Sequence, residues 1–211
     1  MLIKKFTFNP FQVNTCIVSD SSGNAIVIDP AMMDSFEQEE FRNYIESNDL
    51  QLKAMLFTHG HVDHIAGSAW VEREFGISPQ GHRDDISLLE TAEAHARGFG
   101  LEIEKPAELK HFLSHGDRLK TGDINLDIRH VPGHSPGGLA FIVHDEKTVF
   151  CGDSLFAGSI GRTDLPGGNY DQLILSVREQ LLSLPDEYQL ISGHGPASSI
   201  GHEAKNNPFF S

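Results

Sequence analysis

Cysteine is nearly absent from this chain. Cys16 and Cys151 are too few and too far apart to build a disulfide framework, and each lies in an apolar, strand-like run where a free thiol simply packs. Basic residues are scarce as well: 16 Lys and Arg stand against 30 Asp and Glu, a net charge of -14 at pH 7. Such a surface has no global attraction for phosphate backbones or anionic lipid, so neither nucleic acid nor a membrane is an expected partner. No apolar run approaches membrane-spanning length, and Met1 to Pro10 lacks an apolar core with a small-residue cleavage site. A cytoplasmic location is therefore expected. Internal repeats and low-complexity segments are missing too. What remains is 39% hydrophobic content over 211 residues, enough for one well-buried domain, expected to span 1–211.

Histidine is what the chain has in quantity, 12 in all, and four ligand-type residues crowd into Thr58-His59-Gly60-His61-Val62-Asp63-His64. This stretch follows Ala54 to Phe57, which reads as a buried strand, and precedes a helix expected from about 65 to 75 and closed by Gly76. In extended backbone alternate side chains share a face, so His59, His61 and Asp63 are expected on one side and His64 on another. One segment would thus serve two adjacent cations. Imidazole and carboxylate are the ligands that borderline divalent metals prefer. The competing reading is a polar loop whose Asp63 caps the helix.

The opening strands, Leu2 to Phe8, Val13 to Ser19 and Ala25 to Ile28, read as an antiparallel meander. Asp29-Pro30 ends the third, leaving Asp29 as either a turn residue or a group that orients metal-bound imidazoles. Asp34 and Glu37 have the form of a capping box for a helix from about 35 to 48. Between about 78 and 112 acidic residues accumulate over a weak apolar stripe, which suggests a helical excursion near the site. Its histidines, His82, His95 and His111, read as solvated. Strands return from Asp117, and three of them run out into a glycine-flanked ligand: Gly133-His134, Gly152-Asp153 and Gly193-His194. Glycine lets the backbone turn sharply beside a crowded shell. An amphipathic helix carrying Leu173, Ile174, Val177 and Leu181 precedes the last strand.

In this order and spacing, Asp29, His59-x-His61-x-Asp63-His64, His134, Asp153 and His194 resemble the metallo-β-lactamase superfamily over essentially the whole chain. The resemblance implies an α/β fold, a four-layer αββα sandwich with metals at one edge of the two sheets. It also implies that His59, His61 and His134 hold one ion and that Asp63, His64 and His194 hold the other. Asp153 would bridge them, a task that suits a carboxylate's two oxygens. Two divalent ions roughly 3.5 to 4 Å apart activate a shared water. A His and Asp shell accepts zinc, iron or manganese, with zinc the first expectation.

Gly152 to Asp164 and Gly193-His194-Gly195-Pro196 look most like the short bacterial form of glyoxalase II-type hydroxyacylglutathione hydrolases. Thioester hydrolysis of a small molecule such as S-lactoylglutathione is thereby implied. Arg162 falls where these enzymes carry a basic residue that grips a glutathione carboxylate, and a surface ion pair is the competing reading. The longer glyoxalases add a helical domain with further thiol-binding residues. Here Gly201 to Asn207 offers a short helix after His194, so either the glutathione portion is loosely held or the thiol is a different one. Two other functions share parts of the pattern. A mononuclear iron persulfide dioxygenase is similar through Gly161-Arg162-Thr163-Asp164, although His194 offers a second-site ligand. A non-catalytic diiron redox domain would need a flavin partner.

Overall fold

The computed structural model describes residues 1–210. Strands β1 (Leu2–Phe8), β2 (Val13–Ser19) and β3 (Asn24–Ile28) form the expected meander. Helix α1 (Ser35–Ser47) begins on Asp34, whose carboxylate accepts from the N–H groups of Phe36 and Glu37. The expected capping box does not close on itself. Glu37 accepts instead from the N–H of Met33 and the N–H of Asn9, tying the helix start to the β1–β2 turn.

Strand β4 (Gln51–Leu56) lies parallel to β3. The chain then forms a single turn, α2 (Val62–Ile65), followed by α3 (Ser68–Phe75), which closes on Gly76 in left-handed conformation. Strand β5 (Pro79–Gly81), helix α4 (Ile86–Gly98) and strand β6 (His111–Phe112) complete a sheet ordered β1-β2-β3-β4-β5-β6.

The second half of the chain supplies β7 (Arg118–Thr121), β8 (Ile124–His130), β9 (Leu139–Val143) and β10 (Thr148–Gly152). A small hairpin, β11 (Leu155–Phe156) with β12 (Ser159–Ile160), precedes α5 (Tyr170–Ser176), β13 (Gln189–Ser192), β14 (Ser198–Ser199) and α6 (Ile200–Asn206). The second sheet runs β14-β13-β10-β9-β8-β7.

Alternation along the strands builds three apolar layers. Cys16, Val18, Ile26 and Ile28 face Ile124, Leu126, Ile128, Leu139 and Phe141 between the sheets. Their neighbours Ile17, Ala25 and Val27 turn outward to pack with Phe41, Trp70 and Ala92 of the helices. Ala140, Ile142 and Val149 do the same with Leu173, Val177 and Ile200. Helix, sheet, sheet, helix is the four-layer order expected. Because both faces of the central strands are buried, a one-residue slip would exchange the two apolar sets and misfit the large side chains of both layers. Both cysteines are buried free thiols, and burial pushes Cys151 up to about 12. No helix among the described residues is long and apolar enough to cross a membrane.

Parallel pairing decides where the chemistry sits. β3 and β4 end side by side, as do β10 and β13, so Asp29, Thr58, Asp153 and His194 emerge at one edge. Backbone bonds stitch that edge together: Leu139 N–H donates to Thr58 O at 2.7 Å, Asn14 N–H to Gly193 O at 2.7 Å, and Gly193 N–H to Gly152 O at 2.8 Å.

Candidate metal centre

His61 is extended, with φ -68° and ψ 143°, but the next residue already belongs to α2. The helix therefore starts three residues earlier than the periodicity suggested, and Asp63 does not share a face with His59 and His61. Asp63 and His64 are successive residues on a helical turn, about 100° apart around its axis. His59, His61 and His134 converge as one group, and Asp63, His64 and His194 as another.

Distances within each group are short. His61 Nδ1 lies 2.8 Å from His134 Nε2, which is 3.3 Å from His59 Nε2. His64 Nε2 and His194 Nε2 are 3.3 Å apart, and His194 Nε2 is 3.4 Å from Asp63 Oδ2. Asp153 spans both groups: its Oδ1 is 3.4 Å from His64 Nε2, and its Oδ2 is 3.3 Å from His194 Nε2 and 3.7 Å from His134 Nε2.

Neighbouring oxygens fix the tautomers. His134 Nδ1–H donates to Arg162 O at 2.8 Å and His194 Nδ1–H to Phe11 O at 2.8 Å. His64 Nδ1–H donates to Asp29 Oδ2 at 2.9 Å. Thr58 Oγ gives its own proton to Asp29 Oδ2 at 2.6 Å and accepts His59 Nδ1–H at 3.1 Å. With Nδ1 protonated in all four rings, four Nε2 lone pairs point inward at each other. Facing lone pairs repel unless a positive charge lies between them. Asp153 Oδ1 is, among the described residues, the one buried side-chain polar atom without a hydrogen-bond partner. A buried acceptor left unmatched is costly. Lone pairs and orphan oxygen together fit two divalent cations.

The titration behaviour has the same origin. Burial, then the neighbouring rings, pushes His59 well below its ordinary value; burial and His134 bring His61 down to about 3. Burial opposes protonation of His64 and His194 too, but Asp153 and Asp63 outweigh it, holding His64 well above its ordinary value and His194 at about 10. Asp153 and Asp63 stay ionised despite burial because these imidazoles face them. Protons and metal ions compete for the same lone pairs.

Asp29, with φ 51°, reaches one imidazole of each group, His64 directly and His59 through Thr58. Gly193 leaves room that the centre needs, since a Cβ there would run into Asp153 Oδ1 and the His64 ring. Arg162 serves the site through its backbone carbonyl, while its guanidinium forms an exposed two-bond fork with Asp164 at 2.8 Å.

Three residues differ from their sequence reading. His82 is not solvated: it stacks on His130 with centroids 4.2 Å apart and planes 8° apart. His95 lines the cavity over the centre rather than facing bulk water, whereas His111 is exposed as expected. Asp85, which the sequence groups with surface acids, is 2% exposed. It accepts from Gly60 N–H at 2.8 Å, Gly137 N–H at 2.6 Å and Ser135 Oγ at 2.9 Å. Burial pushes its carboxyl up in spite of these donors. It thereby clamps the backbone between His59 and His61 to the loop carrying His134. No local signal marks it, because an Asp before a helix reads as an ordinary cap.

The centre opens into a cavity of about 640 Å³ lined by His61, Asp63, His134, Asp153 and His194. Known proteins show the same arrangement of fold. The profile of the Metallo-beta-lactamase superfamily matches residues 8–194. Hydroxyacylglutathione hydrolase GloC of Haemophilus influenzae is 40% identical over 99% of this chain and 98% of its own length. Among solved structures, TTHA1623 in a di-iron-bound form is 37% identical, with a TM-score of 0.89 over 98% of this chain and 99% of that one. ETHE1 from Myxococcus xanthus is 25% identical, with a TM-score of 0.81 over 99% and 84%. A profile spanning both sheets, joined to relatives matched end to end, means that the chain belongs to the metallo-β-lactamase superfamily.

Proposed function

We propose that this chain is a dinuclear metal-dependent hydrolase that cleaves a small-molecule thioester of the hydroxyacylglutathione type, for which S-lactoylglutathione is the first substrate to try. His59, His61 and His134 hold one ion and Asp63, His64 and His194 the other, with Asp153 between them. The observation that carries this reading is the convergence of four Nε2 lone pairs in two facing groups, with the Asp153 carboxylate between them and its buried Oδ1 without a hydrogen-bond partner. The 40% identity to GloC supports the thioester as substrate.

Two such ions, when bound, lower the pKa of a shared water towards neutrality and polarise a carbonyl. The chain's own residues set the geometry around that event. Asp29 and Thr58 fix His64 and His59 in the tautomer that offers Nε2. Asp63, ionised and lining the cavity, would hold the second ion with Oδ2, the oxygen 3.4 Å from His194 Nε2, and would leave its other oxygen to accept a hydrogen bond from the attacking water. No protein nucleophile is required, and both cysteines are buried away from the cavity. Zinc is the expected ion. Iron fits the same shell, as the di-iron form of TTHA1623 illustrates for that protein.

Metal analysis of the purified chain with a substrate panel tests the proposal. Close to two ions per chain and thiol release from S-lactoylglutathione are expected. A single iron, with oxygen consumed on adding glutathione persulfide and no thiol release, would favour the dioxygenase that Gly161 to Asp164 resemble. Rapid reduction by a flavodoxin-like partner without hydrolysis would favour a redox domain.

A further inference from the structure

The β1–β2 turn and the first residues of β2 lie against one half of the metal centre. Asn9 is in left-handed backbone with φ 58°, a region in which asparagine is enriched among non-glycine residues. It is 9% exposed, and its side-chain amide is fully engaged: Oδ1 accepts from Phe11 N–H at 2.9 Å, and Nδ2 donates to Ala31 O and Asp63 O, both at 2.9 Å.

The bond to Asp63 O fills a gap that a one-turn helix creates. The last carbonyls of a helix have no intrahelical donor. Gly67 N–H, which stands four residues beyond Asp63, is donated to Pro30 O at 2.8 Å instead. Asn9 supplies the missing donor, so the Asp63 peptide is held from outside α2. Asn14, 5% exposed, does the same for His194: its Nδ2 donates to Ser192 O at 2.9 Å and to Gly195 O at 3.0 Å, the carbonyls on either side of Gly193-His194. Val13 pairs with His194 as an isolated antiparallel bridge, and Phe11 O takes the ring proton of the same histidine. The other group has different supports, since Arg162 O orients His134 and Asp85 clamps the turn between His59 and His61.

Resting on the two-ion reading, we infer that Asn9 and Asn14 are positioning residues for the second ion alone. Asn9 sets the angle at which Asp63 leaves α2, and Asn14 fixes the loop that carries His194. Neither side chain ligates, and neither acts on His59, His61 or His134.

The test is titration of the metal-free full chain with cadmium-113, followed by NMR, in which each filled site gives its own resonance. His194→Ala identifies the resonance of the second ion. Asn9→Gly, which keeps the left-handed residue, and Asn14→Ala should each raise the dissociation constant of that ion about 10- to 100-fold and that of the first by less than about twofold. A merely structural role would weaken both sites together. In the unaltered chain the side-chain amide signals of the two asparagines should move as the second site fills and not as the first does. Equal weakening at both sites, no weakening at either, or amide signals that follow the first ion overturns the inference while leaving the two-ion reading intact. A single resonance from the saturated, unaltered chain removes that reading and the inference with it.

Discussion

At the floor of the cavity His59, His64, His134 and His194 each commit one ring nitrogen to a named oxygen, whereas the side chains of Phe11, Phe99, Leu165 and Pro166 on the walls are held by packing alone. The floor is buried and over-determined, so its geometry survives modest changes elsewhere. The walls are carried on a turn, a helix end and a loop, and Phe99 is largely exposed. Reaction chemistry is therefore fixed by the sandwich edge, and substrate choice can shift by single wall substitutions.

The largest effect is expected from Asp153→Ala. It deletes the carboxylate that faces both groups and lets His64 and His134 relax apart. Metal content should fall from two ions to one or fewer. Turnover should drop about 10³-fold, the equivalent of several kcal/mol of charge stabilisation. Near-normal turnover with two ions retained would mean that Asp153 is not the bridge.

Next comes the clamp under the floor. Asp85→Ala leaves the buried N–H groups of Gly60 and Gly137 without acceptors, each worth roughly 1 to 3 kcal/mol of stability. Because the clamp joins the His59–His61 turn to the His134 loop, affinity at that group should fall about 10- to 100-fold. The Asp63, His64 and His194 group should be spared. Competition with a chromogenic chelator reads the two affinities separately; equal loss at both would reduce Asp85 to a general stabiliser.

These two residues also divide what the sequence made legible from what it hid. Asp153 was readable because a strand ending in Gly-Asp repeats the form of Gly133-His134 and Gly193-His194, and parallel pairing of β10 with β13 then places the ends together. Asp85 was not readable, since its partners are backbone N–H groups that leave no trace in residue identity. The start of α2 at Val62 was hidden for a related reason. A four-residue helical turn is too short to show a period, so strand alternation carried on to Asp63 runs two residues too far and puts Asp63 on the wrong face. The motif order, which does not depend on local conformation, grouped Asp63 with His64 and His194.

A smaller effect follows from proton competition. In the metal-free chain His194 titrates at about 10, above its ordinary 6.5, because Asp153 and Asp63 face it once burial is outweighed. A raised folded pKa contributes stability that is complete below about 6.5 and is lost as pH rises through about 10. Chelator-treated protein should therefore lose thermal stability across that window, while metal-loaded protein should not, since cations replace the protons. For the same reason metal affinity should rise about tenfold per pH unit for each proton displaced. Flat melting curves from pH 7 to 10 in the metal-free chain would refute this account.

The smallest effect belongs to Arg162→Ala, which asks whether a charged wall residue behaves as a wall or as part of the floor. Its guanidinium forms an exposed fork with Asp164, and exposed pairs are worth roughly 0 to 1 kcal/mol. Its backbone carbonyl, which orients His134, is untouched by the substitution. Metal content should be unchanged, and kcat/KM for S-lactoylglutathione should move by less than about fivefold, the rate equivalent of that pair energy. A KM increase of fiftyfold with kcat preserved would instead mean that the fork opens to grip a substrate carboxylate. The cavity would then be selective through charge, and the contrast between a committed floor and an uncharged wall would no longer hold.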